Sequence, residues 1–281
     1  MRTLREVIAE TTAALTTAGI DSPRLDARVL LAHVMQIETS QTFTRDDLPL
    51  PPHHEAELAK LVQRRMAREP VSRIFGKREF WGLEFNVTPA TLDPRADTET
   101  LVSAVIDHSK RVALNNPRIL DLGTGTGCIL LSLLHALSGS SGIGVDISEA
   151  ALHVAAGNAS KLQLSHRASF ARMSWADALA GPFDIVTSNP PYLSDDDMRN
   201  LSPEVRYDPT RALDGGGDGL DCYRAIVSDI KRLVRNPAVV ALEVGAGQAE
   251  QVARLVAGAG LRVVEIRSDL SAIPRCVVAE I

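Results

Sequence analysis

From Asn116 onward, short apolar runs alternate with helical stretches, and the first run ends in a turn punctuated by glycine: Asp121-Leu122-Gly123-Thr124-Gly125-Thr126-Gly127. The pattern predicts strands at 118–122, 143–145, 168–172, 184–188, 239–244, 261–266 and 276–281, and helices at 128–137, 149–160, 220–234 and 248–257. Such alternation buries each strand under the helix that follows it. The fold class is therefore α/β, a doubly wound, mainly parallel sheet with helices on both faces. Ligands of such sheets bind at the carboxyl ends of the strands, where the glycine turn and the loop after 184–188 both fall.

Residues 4–73 have a different texture. Leu4, Val7, Ile8, Leu15, Leu30, Leu58, Leu61 and Met66 recur at helical spacing. Asp21-Ser22-Pro23 offers a cap and a proline at a helix start, Gly19 offers a stop, and Leu48-Pro49-Leu50-Pro51-Pro52 breaks the chain before the next helix. Phe80, Leu83, Phe85 and Val87 mark a short β region around Gly82. The expected organisation is a helical domain over 1–75, a β-hairpin connector over 76–95 and the α/β domain over 96–281.

The chain has 281 residues and a net charge of -5, so its overall field does not favour nucleic acid. Its three cysteines, Cys128, Cys222 and Cys276, have no paired spacing, which argues against a disulfide framework or a zinc site. The charged opening Met1-Arg2-Thr3-Leu4-Arg5-Glu6 does not read as an export signal, and no apolar stretch is long enough to span a bilayer. The expectation is a cytoplasmic, monomeric protein with no membrane partner and no metal.

The glycines at 123, 125 and 127 permit positive φ and let backbone approach a ligand, and the helix behind them starts with free N–H groups. Asp146 ends the next strand, where a carboxylate can accept both hydroxyls of a ribose. Together they indicate a cofactor that contains a nucleoside. The spacing is not that of the dinucleotide fingerprint.

Asn189-Pro190-Pro191-Tyr192 follows directly on the strand at 184–188. Its prolines fix φ and lack N–H groups, so the loop is stiff and its carbonyls remain acceptors. The Asn189 side-chain oxygen and the Pro190 carbonyl can take the two hydrogens of one incoming NH₂, while Tyr192 offers a flat face to an amide or a base. An amide nitrogen is a poor nucleophile. Two acceptors on its hydrogens favour a lone pair aimed at an electrophile, a positioning effect that supplies several kcal/mol and up to about 7–11 in ideal cases.

These two loops resemble those of the amino-methyltransferases. Further stretches resemble one branch, the peptide-chain release-factor glutamine methyltransferases of the HemK/PrmC type. They are 76–83 (Gly-Lys-Arg-Glu-Phe-Trp-Gly-Leu), Pro94-Arg95-Ala96-Asp97-Thr98-Glu99, Ala212-Leu213-Asp214-Gly215-Gly216, Asp218-Gly219-Leu220, Leu242-Glu243-Val244-Gly245 and 274–278, with Asp26-Ala27-Arg28 near the start. The resemblance implies a seven-stranded class I methyltransferase domain, an N-terminal domain that docks the substrate protein, and S-adenosyl-methionine as cofactor. It also implies methylation of the glutamine side-chain nitrogen in the Gly-Gly-Gln loop of release factors.

Carried over by position, Gly123, Thr124, Gly125, Thr126 and Gly127 wrap the methionine part of the cofactor, Asp146 takes its ribose and Trp175 lies near its adenine. Asn189 touches cofactor and substrate, and Pro190, Pro191 and Tyr192 hold the glutamine amide, with Asn189 and Tyr192 as the catalytic pair. Many members have an acid where this chain has Ser174, a role that falls to Asp177 if to any residue here.

Other residues carry weaker signals. Cys128 opens a helix, but packing behind the glycine loop explains it better than an activated thiol. His53-His54 read as solvated loop, and Asp195-Asp196-Asp197 as an acidic helix start. Glu243 stands on an apolar strand, where an unpaired acid is costly, so it is expected to line the site. Arg95 and Glu99 have no assigned role. Two other readings use the same motifs: an amino-methyltransferase acting on nucleic acid (adenine N6 or guanine N2), and a scaffold that binds the cofactor without catalysis.

Overall fold

The computed structural model describes residues 2–281, which divide into two compact units: 2–76 with Ser202–Tyr207, and Lys77–Leu201 with Asp208–Ile281. The first unit is helical. Helix α1 (Leu4–Thr17) starts at a capping box in which Thr3 and Glu6 satisfy each other's backbone N–H groups. Helices α2 (Pro23–Met35), α3 (Gln41–Thr44), α4 (Pro52–Met66) and α5 (Val71–Phe75) follow, two of them opened by proline, whose missing N–H is not needed there. Leu4, Val7, Ile8, Leu30, Leu31, Val34, Leu50 and Leu58 form its core. Each fully buried aliphatic side chain of this kind contributes about 1.5–3 kcal/mol.

Polar contacts tie this unit across its sequence. Arg65 Nε donates to Asp26 Oδ2 at 2.7 Å, Arg65 Nη1 and Arg68 Nη2 donate to Glu204 at 3.3 and 2.8 Å, and the Tyr207 hydroxyl donates to the Ala67 carbonyl at 2.9 Å. Two local expectations are corrected. His53 and His54 lie in the first turn of α4 and not in a loop, because Pro52 already starts the helix. Ser22 occupies the N-cap position of α2 but makes no capping hydrogen bond.

In the second unit, the hairpin β1 (Lys77–Phe80) and β2 (Leu83–Asn86) precedes helix α6 (Glu99–Arg111). There follow β3 (Arg118–Leu122), α7 (Cys128–Ala136), β4 (Ser141–Asp146), α8 (Glu149–Lys161), β5 (Ala168–Arg172), β6 (Phe183–Ser188) and the short α9 (Asp195–Arg199). The chain closes with α10 (Asp221–Leu233), β7 (Val234–Glu243), α11 (Ala249–Gly258), β8 (Arg262–Ser268) and β9 (Pro274–Glu280).

The described residues form a seven-stranded sheet ordered β5-β4-β3-β6-β7-β9-β8, with β9 antiparallel to both of its neighbours. Two apolar layers cover its faces, one around Tyr223, Ile226 and Val252, the other around Leu101, Val105, Leu130 and Leu134. Strand β6 is buried along its whole length, which is why Phe183-Asp184-Ile185-Val186-Thr187-Ser188 reads as a continuous run and not an alternating one. From β3 the chain winds outward through β4 and β5, then returns to the other side of β3 as β6. The carboxyl ends of β3 and β6 therefore flank a topological switch point.

Candidate cofactor and amide site

The turn after β3 is held by its own backbone and by two acids. Gly123, Gly125 and Gly127 all have positive φ (+71°, +54° and +79°). Gly127 is also hemmed in, since a Cβ there would stand 3.2–3.3 Å from Leu131 and Ala155, where α8 crosses the start of α7. Gly125 faces open space, with nothing within 4 Å of its Cβ direction. The Thr124 N–H donates to the Val145 carbonyl at 2.9 Å and the Gly125 N–H to Asp146 Oδ2 at 3.0 Å, while Asp146 Oδ1 accepts from the Ser148 N–H at 2.9 Å. Asp146 is thus fixed at the end of β4, with lone pairs left on both oxygens.

Asp121 works from beneath. Its two oxygens accept from the Thr124 hydroxyl at 2.7 Å and the Thr187 hydroxyl at 2.8 Å, joining the turn to β6. Burial pushes its carboxyl up to about 6, against the pull of those two hydroxyls.

The loop after β6 is pinned from a second direction. The Leu193 N–H donates to the Leu213 carbonyl and the Gly215 N–H to the Leu193 carbonyl, each at 2.9 Å. Gly215 packs so closely that a Cβ there would come within 2.8 Å of Tyr192 Cα. Gln248 Nε2 donates to the Tyr192 carbonyl at 2.9 Å. Pro190 is buried, Tyr192 is half-buried, and burial followed by the nearby Glu243 pushes the Tyr192 phenol up to about 12.

These loops meet in one cavity of about 610 Å³. Gly123, Thr124, Gly125, Thr126, Asp146, Trp175, Asn189 and Pro191 line it, together with Arg95, Thr98, Ile147, Met173, Ser174 and Cys128. Of the residues named from the sequence, Gly127, Pro190 and Tyr192 shape the loops without lining this cavity. Asp177 is exposed and also lies outside the lining, so the position beside Ser174 has no acid from it. Cys128 is buried and its thiol is pushed up to about 12 by desolvation, which leaves it unreactive.

The Pro94–Glu99 stretch resolves into separate tasks. Arg95 pairs with Asp208, the Glu99 carboxylate caps the Trp81 N–H at 2.9 Å, and Asp97 pairs with Arg275 at 3.1 Å. Thr98 Oγ1 accepts from Asn189 Nδ2 at 3.3 Å. Composition and spacing gave no role to Thr98; its place in a stretch shared with one branch of methyltransferases was the available signal.

Glu243 does not line the cavity and is corrected to a place behind it. It ends β7 beside the end of β6, where Leu242 pairs with Ser188. It is 2 % exposed, and its Oε2 has no hydrogen-bond partner. Burial pushes its carboxyl up to about 7, opposed by hydrogen bonding from Thr98, the charge of Arg275 and hydrogen bonding from Asn189.

A mainly parallel seven-stranded sheet with a glycine turn at the end of its first strand, an acid at the end of the second and an Asn-Pro-Pro-Tyr loop at the switch point defines a methyltransferase of class I architecture. A methyltransferase-domain model matches residues 114–206 and a PrmC N-terminal-domain model matches residues 6–76. The fold is shared with a methyltransferase from Pyrococcus furiosus at a TM-score of 0.53 and 15% identity, over 80% of this chain and 98% of that one.

The release factor glutamine methyltransferase of Rhodospirillum rubrum is 47% identical, over 94% of this chain and 81% of its own length. That of Bradyrhizobium diazoefficiens is 42% identical over 95% and 91%. The chain belongs to the release factor glutamine methyltransferase family.

Proposed function

We propose that the chain transfers the methyl group of S-adenosyl-methionine to the side-chain amide nitrogen of a glutamine in the Gly-Gly-Gln loop of peptide-chain release factors. The observation that carries this reading is the meeting, in one cavity, of Asp146 and the glycine turn with Asn189. The residues present fit such a cofactor. Asp146 keeps free lone pairs toward the cavity for ribose hydroxyls, Gly125 leaves room for close approach, and Ile147, Met173 and Trp175 offer apolar surface to a purine.

When bound, the cofactor supplies an electrophilic methyl on a sulfonium. The chain's own residues place the amide. Asn189 Oδ1 and the Pro190 carbonyl accept the two N–H groups, which directs the nitrogen lone pair along the line of transfer. The amide nitrogen so held would take the methyl from the sulfonium, leaving a neutral thioether, and would give up one proton to water. No strong base is required, because an N-alkylated amide cation is itself a strong acid.

Action on the factor's glutamine is supported by the names of the relatives, and docking of the factor by the helical unit belongs to the same reading. The test is incubation with methyl-labelled S-adenosyl-methionine and, separately, a release factor, total RNA and DNA. Label on the release factor, placed on the glutamine side chain by mass spectrometry, is the expected result. Label on adenine or guanine would transfer the chain to nucleic-acid methylation, and label on none of them would leave a binding scaffold.

A further inference from the structure

The end of β7 holds a carboxylic acid that the chemistry above does not use. Glu243 lies behind Asn189 and Thr98, almost completely buried, with Oε2 unpartnered. A buried oxygen without a donor is unfavourable, which singles this carboxyl out among the groups around the loop. The neighbouring side chain is Asn189, whose amide can be seated in either of two orientations. In the one observed, Nδ2 points to Thr98 Oγ1, on the side where the Glu243 carboxyl also stands. With Nδ2 so engaged, Oδ1 is the atom of this amide left to accept from a substrate.

We propose that Glu243 is a positioning residue for methyl transfer: its carboxylate, with Thr98, accepts from Asn189 Nδ2 and so fixes Asn189 Oδ1 toward the substrate NH₂. A carboxylate can only accept, which makes the flipped amide repulsive. A protonated carboxyl can donate to Oδ1 instead and would stabilise the flipped amide. The residue is therefore an orientation lock that releases on protonation. The inference deepens the proposed transfer to an amide and rests on that reading.

Other ionisable groups face Glu243 from every side. They are Asp97 before α6, Arg275 and Cys276 on β9, Tyr192 in the substrate loop, Tyr223 on α10 and Cys128 on α7. Burial pushes the three thiol and phenol groups on β9, in the loop and on α7 to about 12 or beyond, and Tyr223 higher still. Arg275 remains charged, being held above its ordinary value by Asp269 and Asp97. Near pH 7 the group expected to change state here is Glu243, whose carboxyl is pushed up to about 7.

The decisive experiment does not need the substrate. In protein labelled with ¹⁵N at asparagine, the side-chain NH₂ signal of Asn189 is assigned by its loss in Asn189→Ala and followed from pH 5 to 9. The inference expects a shift with a midpoint near 7 that disappears in Glu243→Gln. A signal that does not titrate, or that titrates equally in Glu243→Gln, overturns it.

Kinetics then separate positioning from packing. Glu243→Gln should lower kcat roughly tenfold at pH 8, the worth of one charge-assisted hydrogen bond, with cofactor affinity by calorimetry unchanged. In the Asn189→Ala background it should have no further effect on kcat. An equal fall in both backgrounds would show that Glu243 acts independently of Asn189. Failure of the wild type to methylate any release factor would instead count against the proposed substrate and leave the amide titration to decide on Glu243.

Discussion

Asp121 and Glu243 are both carboxylates at or near the carboxyl ends of strands in one sheet, both almost completely buried, yet they are satisfied differently. Asp121 has a threonine hydroxyl on each oxygen, and its carboxyl is pushed up to about 6. Glu243 keeps an oxygen without a partner, and its carboxyl is pushed up to about 7. The first ties a turn to its neighbouring strand and stays within the local architecture of β3 and β6. The second stands where side chains from β6, β7 and the turn before α6 converge on Asn189. The difference separates the acid that builds the scaffold from the acid that prepares the chemistry.

The strongest test of that division is Asn189→Ala. It removes the acceptor that acts on the substrate in a dry site, and the methyl-transfer rate should fall on the order of a hundredfold or more. Cofactor affinity measured by calorimetry should change little, because the glycine turn and Asp146 are untouched. A normal rate would break the comparison at its functional end.

A second effect, on stability, sharpens it through pH. Both acids hold their protons to a higher pH in the folded chain than in the unfolded one. The folded state thus binds more protons between the unfolded values, 3.8 and 4.5, and the folded values of about 6 and 7. Stability contributed by these groups is complete at low pH and falls as pH rises through that window. For Glu243, moving from 4.5 to about 7 at 1.36 kcal/mol per pH unit gives a loss of about 3 kcal/mol above pH 7. Urea denaturation at pH 5 and pH 8 should therefore show Glu243→Gln losing less stability between the two than the wild type does. A more stable but slower variant is the expected signature, and an unchanged pH dependence would remove Glu243 from that account.

A third effect is at the cofactor end. Asp146→Ala loses the carboxylate that holds the Gly125 and Ser148 N–H groups and is placed to take ribose hydroxyls. S-adenosyl-methionine binding should weaken by roughly 1.5–3 kcal/mol for each hydrogen bond lost to a charged acceptor. With saturating cofactor the transfer rate should largely recover. Unchanged affinity in a folded variant would take Asp146 out of the site.

Much of this molecule was legible before any coordinates. The alternation of strands and helices, the glycine turn, the acid ending the next strand and the stiff loop after a continuous apolar run are local patterns, and each follows from backbone geometry. His53 and His54 were misplaced because a proline pair reads equally as a breaker and as a helix start. What lay beyond the sequence was convergence. Glu243 could be singled out as an acid on an apolar strand, but not placed behind Asn189. Thr98, Arg95 and Glu99 sat in one short stretch, yet they serve Asn189, Asp208 and the Trp81 N–H respectively.

The sequence by itself determined the order of elements, the cofactor turn and the residue types available for amide recognition, because periodicity, φ preference and hydrogen-bonding capacity belong to single residues and their near neighbours. Only the tertiary structure decided which way the Asn189 amide faces and which acid is left with an unpartnered oxygen. Those outcomes depend on strands brought together by the winding of the sheet. Burial then sets the cost of each unpaired polar atom, and only the packed neighbours determine how much of that cost is offset.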